Sequence, residues 1–134
     1  MANQRFVSLP VEELDWAQLN YAVAEAIGLK PDGWRGDYLA CKVGGKLFSP
    51  STLWESAGPI IKRHGISVSP CGLKQQGGGL VVSDRWYANL AFEDEERILF
   101  ELEQHGDSPT EAAMRVLVQY KLGDHVAVPV VKSN

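Results

Sequence analysis

Cysteine is scarce in this sequence, in which only Cys41 and Cys71 occur among 134 residues. Two cysteines do not make the disulfide framework of a small secreted protein, and these two lack the close spacing of metal-ligating pairs. Free cysteine usually behaves as a small buried hydrophobe, so we expect both side chains to be buried, reduced thiols. The sequence therefore predicts neither a disulfide-stapled domain nor a metal site.

Long apolar runs and an excess of positive charge are also missing. No apolar run reaches the roughly 18 residues that cross a membrane, and residues 1–16 lack the basic and apolar regions of a secretory signal. The 17 acidic residues outnumber the 13 basic ones and leave a net charge of −4, which does not favour nucleic acids or acidic membranes. We expect a cytoplasmic protein without membrane contact, in which non-specific nucleic-acid binding is disfavoured. Its length is typical of a single domain, residues 1–134.

Recognisable catalytic motifs are absent as well. His64, His105 and His125 are far apart, and the patterns HExxH, GxSxG and CxxC do not occur. The stretch GGKLFSPST resembles a phosphate-binding loop, but Leu47 follows Lys46 where GxxxxGK[ST] requires Ser or Thr. We therefore expect no enzymatic activity, no catalytic residues and no cofactor.

Two segments have the pattern of long helices. Pro10–Ile27 begins with a proline, which suits the first helical position, and places Trp16 with four other apolar side chains on one stripe that we expect to face the core. In the second segment Ser108 is a typical N-cap, Pro109 suits the first position, Glu111 completes a capping box and Gly123 ends the helix. Apolar side chains wrap most of this second helix, which predicts burial in the core or at a subunit interface.

The remaining sequence favours short strands. The stretches YLACKVGGKLF, GISVSP, LVVSDRWYANLAF and HVAVPVV are rich in strand-forming residues and are bounded by turn residues. LKQQGGGL predicts a flexible loop, and the acidic residues 93–105 predict a short amphipathic helix. We therefore expect an α+β fold with two main helices and one short helix packed on a small, mostly antiparallel sheet.

The segment FSPSTLWESAGPIIKRHG, residues 48–65, combines the features of an anion site. Gly58 suits an N-cap and Pro59 the first helical position, which would leave the amides of Ile60 and Ile61 free for an anion. Trp54 offers a flat face on which a base or sugar can stack. The other residues that we expect to contact a ligand supply hydroxyl groups or positive charge: Ser49, Ser51, Thr52, Lys62, Arg63 and Arg115.

Ordinary structural roles remain open for the same residues. Runs of Ser, Pro and Thr are common in turns, where their hydroxyls bond to the local backbone. Trp54 and Ile60 would then fill the core, and Arg115, if buried, would pair with a structural carboxylate rather than a ligand. Further candidates for stacking or charge lie on other segments: Trp34, Arg35, Trp86 and Tyr87.

Four stretches resemble a known family in their order and in their amino-acid sequences: LDWAQLNYAVAEAIG, SPSTLWESAGPIIKRHGISV, WYA and SPTEAAMRVLVQYKLGDHVAVP. The family is that of the NinX-like phage proteins, and the resemblance covers nearly the whole chain apart from residues 29–47, 71–84 and 93–105. The sequence departs from the family pattern at Leu53, where the family has an acidic residue, and at Ala57, where it has glycine. The resemblance implies a phage or prophage origin and an accessory role, and it supplies no catalytic residues.

Small phage accessory proteins often bind a host protein or sequester a signalling molecule. We therefore expect a non-catalytic binder of a small anionic, nucleotide-like ligand, which would sequester a host signalling molecule. The alternative is a protein–protein interaction module that binds or inhibits a host or phage protein. We also expect a homo-oligomer, because symmetric association is common.

Overall fold

The computed structural model describes residues 5–32, 41–82 and 84–130, apart from the side chains of Lys74 and Val82. Its helices are α1 (Trp16–Ala26), α2 (Trp54–His64) and α3 (Pro109–Leu122), with a short 3-10 helix at Val11–Glu13. Its strands are β1 (Phe6–Pro10), β2 (Lys42–Val43), β3 (Lys46–Leu47), β4 (Ser67–Pro70), β5 (Leu73–Gln76), β6 (Gly79–Val82), β7 (Trp86–Glu93), β8 (Leu99–Gly106) and β9 (His125–Pro129).

The strands form one three-stranded sheet and three two-stranded ladders. The larger sheet has the order β4-β7-β8, and the pairs are β1 with β9, β2 with β3, and β5 with β6. Every pairing is antiparallel. The α+β class predicted from the sequence, with helices and small antiparallel sheets, is confirmed. Within the described residues, no helix has the length and apolarity that a membrane crossing requires.

Helix α3 lies at the centre of the fold. One side packs on strands β7 and β8 of the larger sheet, and the other contacts α1 and α2. Its residues from Ala112 to Val118 are all buried. Neighbours on both sides explain why apolar side chains wrap this helix, and they bury it within the core of the chain itself.

The ends of α3 are as predicted from the sequence. Ser108 Oγ accepts a hydrogen bond from the amide of Glu111 at 3.1 Å, Pro109 is the first helical residue, and Gly123 follows the last. The return half of the capping box is displaced by one residue, because Glu111 Oε2 accepts from the amide of Asp107 at 3.3 Å. Strong local capping signals thus positioned this helix correctly.

The predicted start of the first helix at Pro10 is wrong. Helix α1 begins at Trp16, where Asp15 Oδ1 accepts from the amide of Gln18 and Gln18 Oε1 accepts from the amide of Asp15. Pro10 instead ends β1, in register with His125 of β9. Proline lacks an N–H group and therefore suits both a helix start and a strand end. The strand partner that decides between them is distant in sequence.

Two other segments differ from the prediction. LKQQGGGL is a hairpin rather than a loop, because Gly77 and Gly78 adopt positive φ angles of 59° and 84° and form a tight turn between β5 and β6. Residues 93–105 are not a helix. Asp94 Oδ1 accepts from two amides of the turn before β8, and β8 then pairs with β7 along its whole length, which outweighs the helix propensity of its glutamates.

The two cysteines differ in their surroundings. Both are free thiols, but Cys41 is buried and Cys71 is exposed, so the expected burial is correct for Cys41 alone. Burial raises the pKa of the Cys41 thiol to about 11, with a further contribution from the negative charge of Asp32. Since the thiolate is the reactive form, this environment protects Cys41.

In the folded protein at pH 8, we expect a chromogenic disulfide reagent to modify Cys71 far faster than Cys41. A pKa of about 11 leaves roughly one Cys41 thiol in a thousand ionised at that pH. The time course should keep only the fast phase in Cys41→Ala and only the slow phase in Cys71→Ser, and the two rates should converge in denaturant. Equal rates in the folded protein would contradict the structure.

Candidate functional site

The amino-terminal ends of α1, α2 and α3 meet at a pocket of about 640 Å³, which we call the helix-start pocket. Trp16 is the first residue of α1. Six lining residues belong to the segment from Leu47 to Trp54 inclusive, and Trp54 is the first residue of α2. Ser108–Glu111 contributes the start of α3. The capping segment of the last helix and the hydroxyl-rich segment of the sequence therefore face one shared space.

Helix α2 begins at Trp54, so the predicted start at Gly58 and Pro59 is wrong and both residues lie inside the helix. The amides of Ile60 and Ile61 accordingly fall beyond the first turn and are not the free donors of a helix end. Proline favours the first helical position so strongly that it was a misleading signal here.

The free donors of this helix lie at its true start. The amides of Thr52 and Leu53 both donate to the carbonyl of Ser49, at 3.1 and 2.8 Å, and this turn leads into the helix. Leu53 is the N-cap and provides no side-chain hydrogen bond. The amides of Trp54 and Glu55 come before the first residues that bond within the helix, so they are available to another acceptor.

Asn20, a fully buried residue of α1, holds the turn between Ser49 and Leu53 in place. Its Nδ2 donates to Ser49 Oγ at 3.2 Å, and its Oδ1 accepts from the amide of Ser51 at 2.9 Å. From α3, Thr110 Oγ1 donates to the carbonyl of Ser51 at 2.7 Å. Sequence reasoning missed Asn20, whose only signal was a polar side chain between apolar residues of a helix.

The hydroxyls of Ser49 and Ser51 bond to other groups of the pocket wall. Each residue is only 2% exposed, and Ser49 Oγ is bonded to Thr52 Oγ1 at 2.5 Å. Ser51 Oγ donates to the carbonyl of Trp16 at 3.4 Å. The structural role that the sequence left open for these hydroxyls is therefore present, and of the three predicted hydroxyl residues only Thr52 is exposed.

Large apolar side chains surround the mouth of the pocket. Trp54 is 56% exposed and Trp16 is 42% exposed, and both Leu47 and Leu53 are exposed beside them. Trp54 therefore does not fill the core, and neither does Trp16, which the helical stripe had assigned to it. Clustered exposed apolar side chains beside a pocket are typical of a binding surface.

Glu111 is the one ionisable side chain among the described residues of this lining. Its Oε1 lies 2.7 Å from Arg115 Nη2. Arg115 is 9% exposed, and it also donates to the carbonyls of Leu14 at 3.0 Å and His105 at 2.8 Å. Arg115 therefore has the structural carboxylate that the sequence favoured as its partner, and its charge is not directed into the pocket.

The predicted cationic residues of α2, Lys62 and Arg63, lie at the opposite end of that helix. A cavity of about 360 Å³, which we call the helix-end cavity, is lined by Pro59, Ile60 and Arg63 together with residues from the ends of α1 and α3. Gly58 and Lys62 line neither space. Helix α2 has 11 residues and is about 16 Å long. The predicted site is thus divided in two, with the indole and hydroxyls at one end and the charge at the other.

Of the other aromatic candidates, Trp86 and Tyr87 line neither space. Trp86 packs against the core and Tyr87 lies beside His105, with 6.2 Å between ring centroids. Trp34 and Arg35 lie outside the described residues. The described part of the chain contains no group of three or more His, Cys, Asp or Glu side chains arranged for a metal ion.

Comparison with known proteins identifies one family. The family model described as Bacteriophage P22, NinX matches residues 11–121, which include α1, α2, the larger sheet and most of α3. The match therefore contains every described residue that lines the helix-start pocket. No curated protein matches the chain significantly.

Proposed function

Because the chain belongs to the Bacteriophage P22 NinX family, we propose that it is a phage- or prophage-encoded accessory protein that binds a small ligand in the helix-start pocket. The ligand is nucleotide-like, with a flat ring and a negatively charged group. Binding without conversion of the ligand would suit the sequestration of a host signalling molecule.

The observation that carries this proposal is the pair of exposed indoles at the mouth of a pocket of suitable size. A volume of about 640 Å³ lies within the usual range for small-molecule sites. Trp16 and Trp54 come from different helices and line the same space. Aromatic side chains stack on every kind of base, so they support a ring-bearing ligand without demanding a particular one.

The start of α2 supports the anionic part of the ligand. The free amides of Trp54 and Glu55 and the positive end of the helix dipole favour a negative group there. The starts of α1 and α3 already have side-chain caps, from Asp15 and Ser108 respectively. Since Glu111 is negative and the described lining has no lysine or arginine, a ligand with a single negative charge fits better than a polyphosphate.

The pocket lining also supports binding without catalysis. Its one ionisable side chain among the described residues, Glu111, is already paired with Arg115. General acid–base or nucleophilic chemistry needs a positioned titratable group that can exchange a proton with the substrate, or an activated nucleophile. We therefore propose that the protein is not an enzyme.

Calorimetric titration should test the ligand class. We expect saturable binding of a cyclic mononucleotide, with weaker binding of the matching nucleoside and of the matching triphosphate. Saturation at a hundredfold excess over the dissociation constant should raise the unfolding free energy by about 2.7 kcal/mol. Absence of binding by all three compounds, for each of the common bases, would overturn the proposal.

Trp54→Ala should weaken ligand binding by roughly 5- to 150-fold, the equivalent of about 1–3 kcal/mol of stacking. Its effect on the free energy of unfolding should stay below about 1 kcal/mol, because the indole is largely exposed. Trp86→Ala is the matched control, since Trp86 packs against the core and its loss should lower stability without direct loss of a pocket contact. Unchanged affinity in folded Trp54→Ala would exclude this indole from the site.

The same apolar rim favours a second function, the binding of a host or phage protein or of another copy of the chain. Tryptophan is enriched among the residues that dominate protein interfaces, and Trp16, Trp54, Leu47 and Leu53 are exposed together. Two results together would favour this alternative. Trp54→Ala would leave every ligand titration unchanged, and it would abolish either self-association, measured by light scattering, or the capture of a defined partner.

A further inference from the structure

The helix-end cavity is lined by cationic side chains, which are missing from the described lining of the helix-start pocket. Its walls are apolar at Ile27, Leu29 and Ile60, and its two cationic lining residues, Arg63 and Lys121, come from different helices. His64 also lines it. No aspartate or glutamate lies among the described residues of this lining, although acidic residues outnumber basic ones in the chain.

The two cations have no carboxylate partner in the described part of the chain. Arg63 and Lys121 take no part in the ion pairs of Arg85 and Arg115 or in the contact of His105 with Glu103. Lys121 Nζ lies 5.2 Å from the ring centroid of Tyr120, a contact that leaves its N–H donors free to bond elsewhere. Positive groups at a concave apolar surface are thus available to an external anion.

Cationic side chains near the carboxyl end of a helix often donate hydrogen bonds to its last carbonyls. At the ends of α2 and α3, other groups already bond to several of these carbonyls. The amides of Gly65 and Ile66 donate to the carbonyl of Ile61. His64 Nδ1 lies 3.0 Å from the carbonyl of Ile60, and the amide of Gly123 donates to Gln119. The side-chain donors of Arg63 and Lys121 make no such bond among the described residues.

We propose that the helix-end cavity binds a small organic anion, a carboxylate carried on a short apolar body. The carboxylate lies between the guanidinium of Arg63 and the ammonium of Lys121, and the apolar body contacts Ile27, Leu29 and Ile60. The planar guanidinium matches a carboxylate in geometry, and about 360 Å³ suits a compact ligand. This site is separate from the proposed nucleotide-like site, at the opposite end of α2.

A homologous series of straight-chain carboxylates, from acetate to octanoate, provides the test by calorimetric or NMR titration. Affinity should rise about three- to fourfold for each added methylene until the cavity is full. Inorganic phosphate, which has the charge but no apolar body, should bind more weakly than hexanoate. Affinity that does not depend on chain length would overturn the proposal, as would absence of saturable binding across the series.

Three charge variants locate the site. Arg63→Gln and Lys121→Gln should each weaken hexanoate binding about tenfold or more. Lys62→Gln removes the same charge from the neighbouring position, which does not line the cavity, and should leave affinity within about twofold. An equal effect of all three would indicate a general charge effect and contradict the site.

Two further measurements complete the test. All three altered side chains are exposed, and circular dichroism should show that the variants remain folded. Trp54→Ala should leave hexanoate binding unchanged, whereas it should weaken binding of a cyclic mononucleotide. A loss of hexanoate binding in Trp54→Ala would place the carboxylate in the helix-start pocket and overturn this inference, whatever the outcome for the nucleotide.

Discussion

Replacing Arg115 by alanine is expected to lower the free energy of unfolding by about 3–5 kcal/mol, because it breaks a buried ion pair from one side. The guanidinium is nearly buried, bonds to Glu111, and donates to the carbonyls of Leu14 and His105. These acceptors lie before α1, on β8 and on α3. Its removal therefore leaves a largely buried carboxylate and two carbonyls without their donor at the point where three elements meet.

Chemical denaturation of Arg115→Ala, Glu111→Gln and the double variant would measure this effect. We expect Glu111→Gln to cost less, because Arg115 keeps both carbonyl partners. The double variant should be less destabilised than the sum of the single variants, with a coupling of about 0.5–3 kcal/mol, as is usual for residues in contact. A cost below about 1 kcal/mol for Arg115→Ala would mean that the ion pair is well solvated and would contradict the observed burial.

Asn20→Ala should have the next largest effect, a loss of about 2–4 kcal/mol in the free energy of unfolding. The substitution leaves the amide of Ser51 without its acceptor and removes the donor to Ser49 Oγ in a region closed to water. Because these bonds hold the turn that leads into α2, the same change should loosen the helix-start pocket.

Hydrogen exchange would show this local effect without any ligand. In Asn20→Ala, the amides of Ser51, Thr52 and Leu53 should exchange faster than expected from the loss of global stability alone. Gln18→Ala is the matched control, because Gln18 is a buried polar residue of the same helix that bonds to the carbonyl of Pro129 and the amide of Asp15 but to no residue of the 49–53 turn. If the exchange of these amides is accelerated equally in both variants, Asn20 has no specific role in holding the turn.

The two proposed sites follow from the arrangement of the helices. The starts of α1, α2 and α3 contribute to one pocket, and their ends contribute to one cavity. Apolar and aromatic side chains with free amides occupy the first, and cationic side chains occupy the second. One small ligand therefore cannot contact both the indoles of the pocket and the cations of the cavity. For this reason the single site predicted from the sequence corresponds to two separate spaces in the structure.

Family membership, the α+β class and the last helix were predictable from the sequence because they depend on local or linear signals. Ser108, Pro109 and Gly123 act on neighbouring backbone groups, so their effect does not depend on distant partners. The glycine pair between β2 and β3 likewise supplies the positive φ angles of its turn from residue type alone. The order of the family motifs along the chain can also be recognised without knowledge of the fold.

Distant partners decided the remaining features. Pro10 ends a strand because β9 pairs with it, the glutamates of β8 are extended because β7 pairs with them, and Ser49 and Ser51 are buried because Asn20 and Thr110 reach them. Local preferences leave the conformation of these residues open or favour a different one, so hydrogen bonds across the chain select the observed one. The sequence alone thus supplied the candidate residues, and packing of the three helices determined which of them lie together.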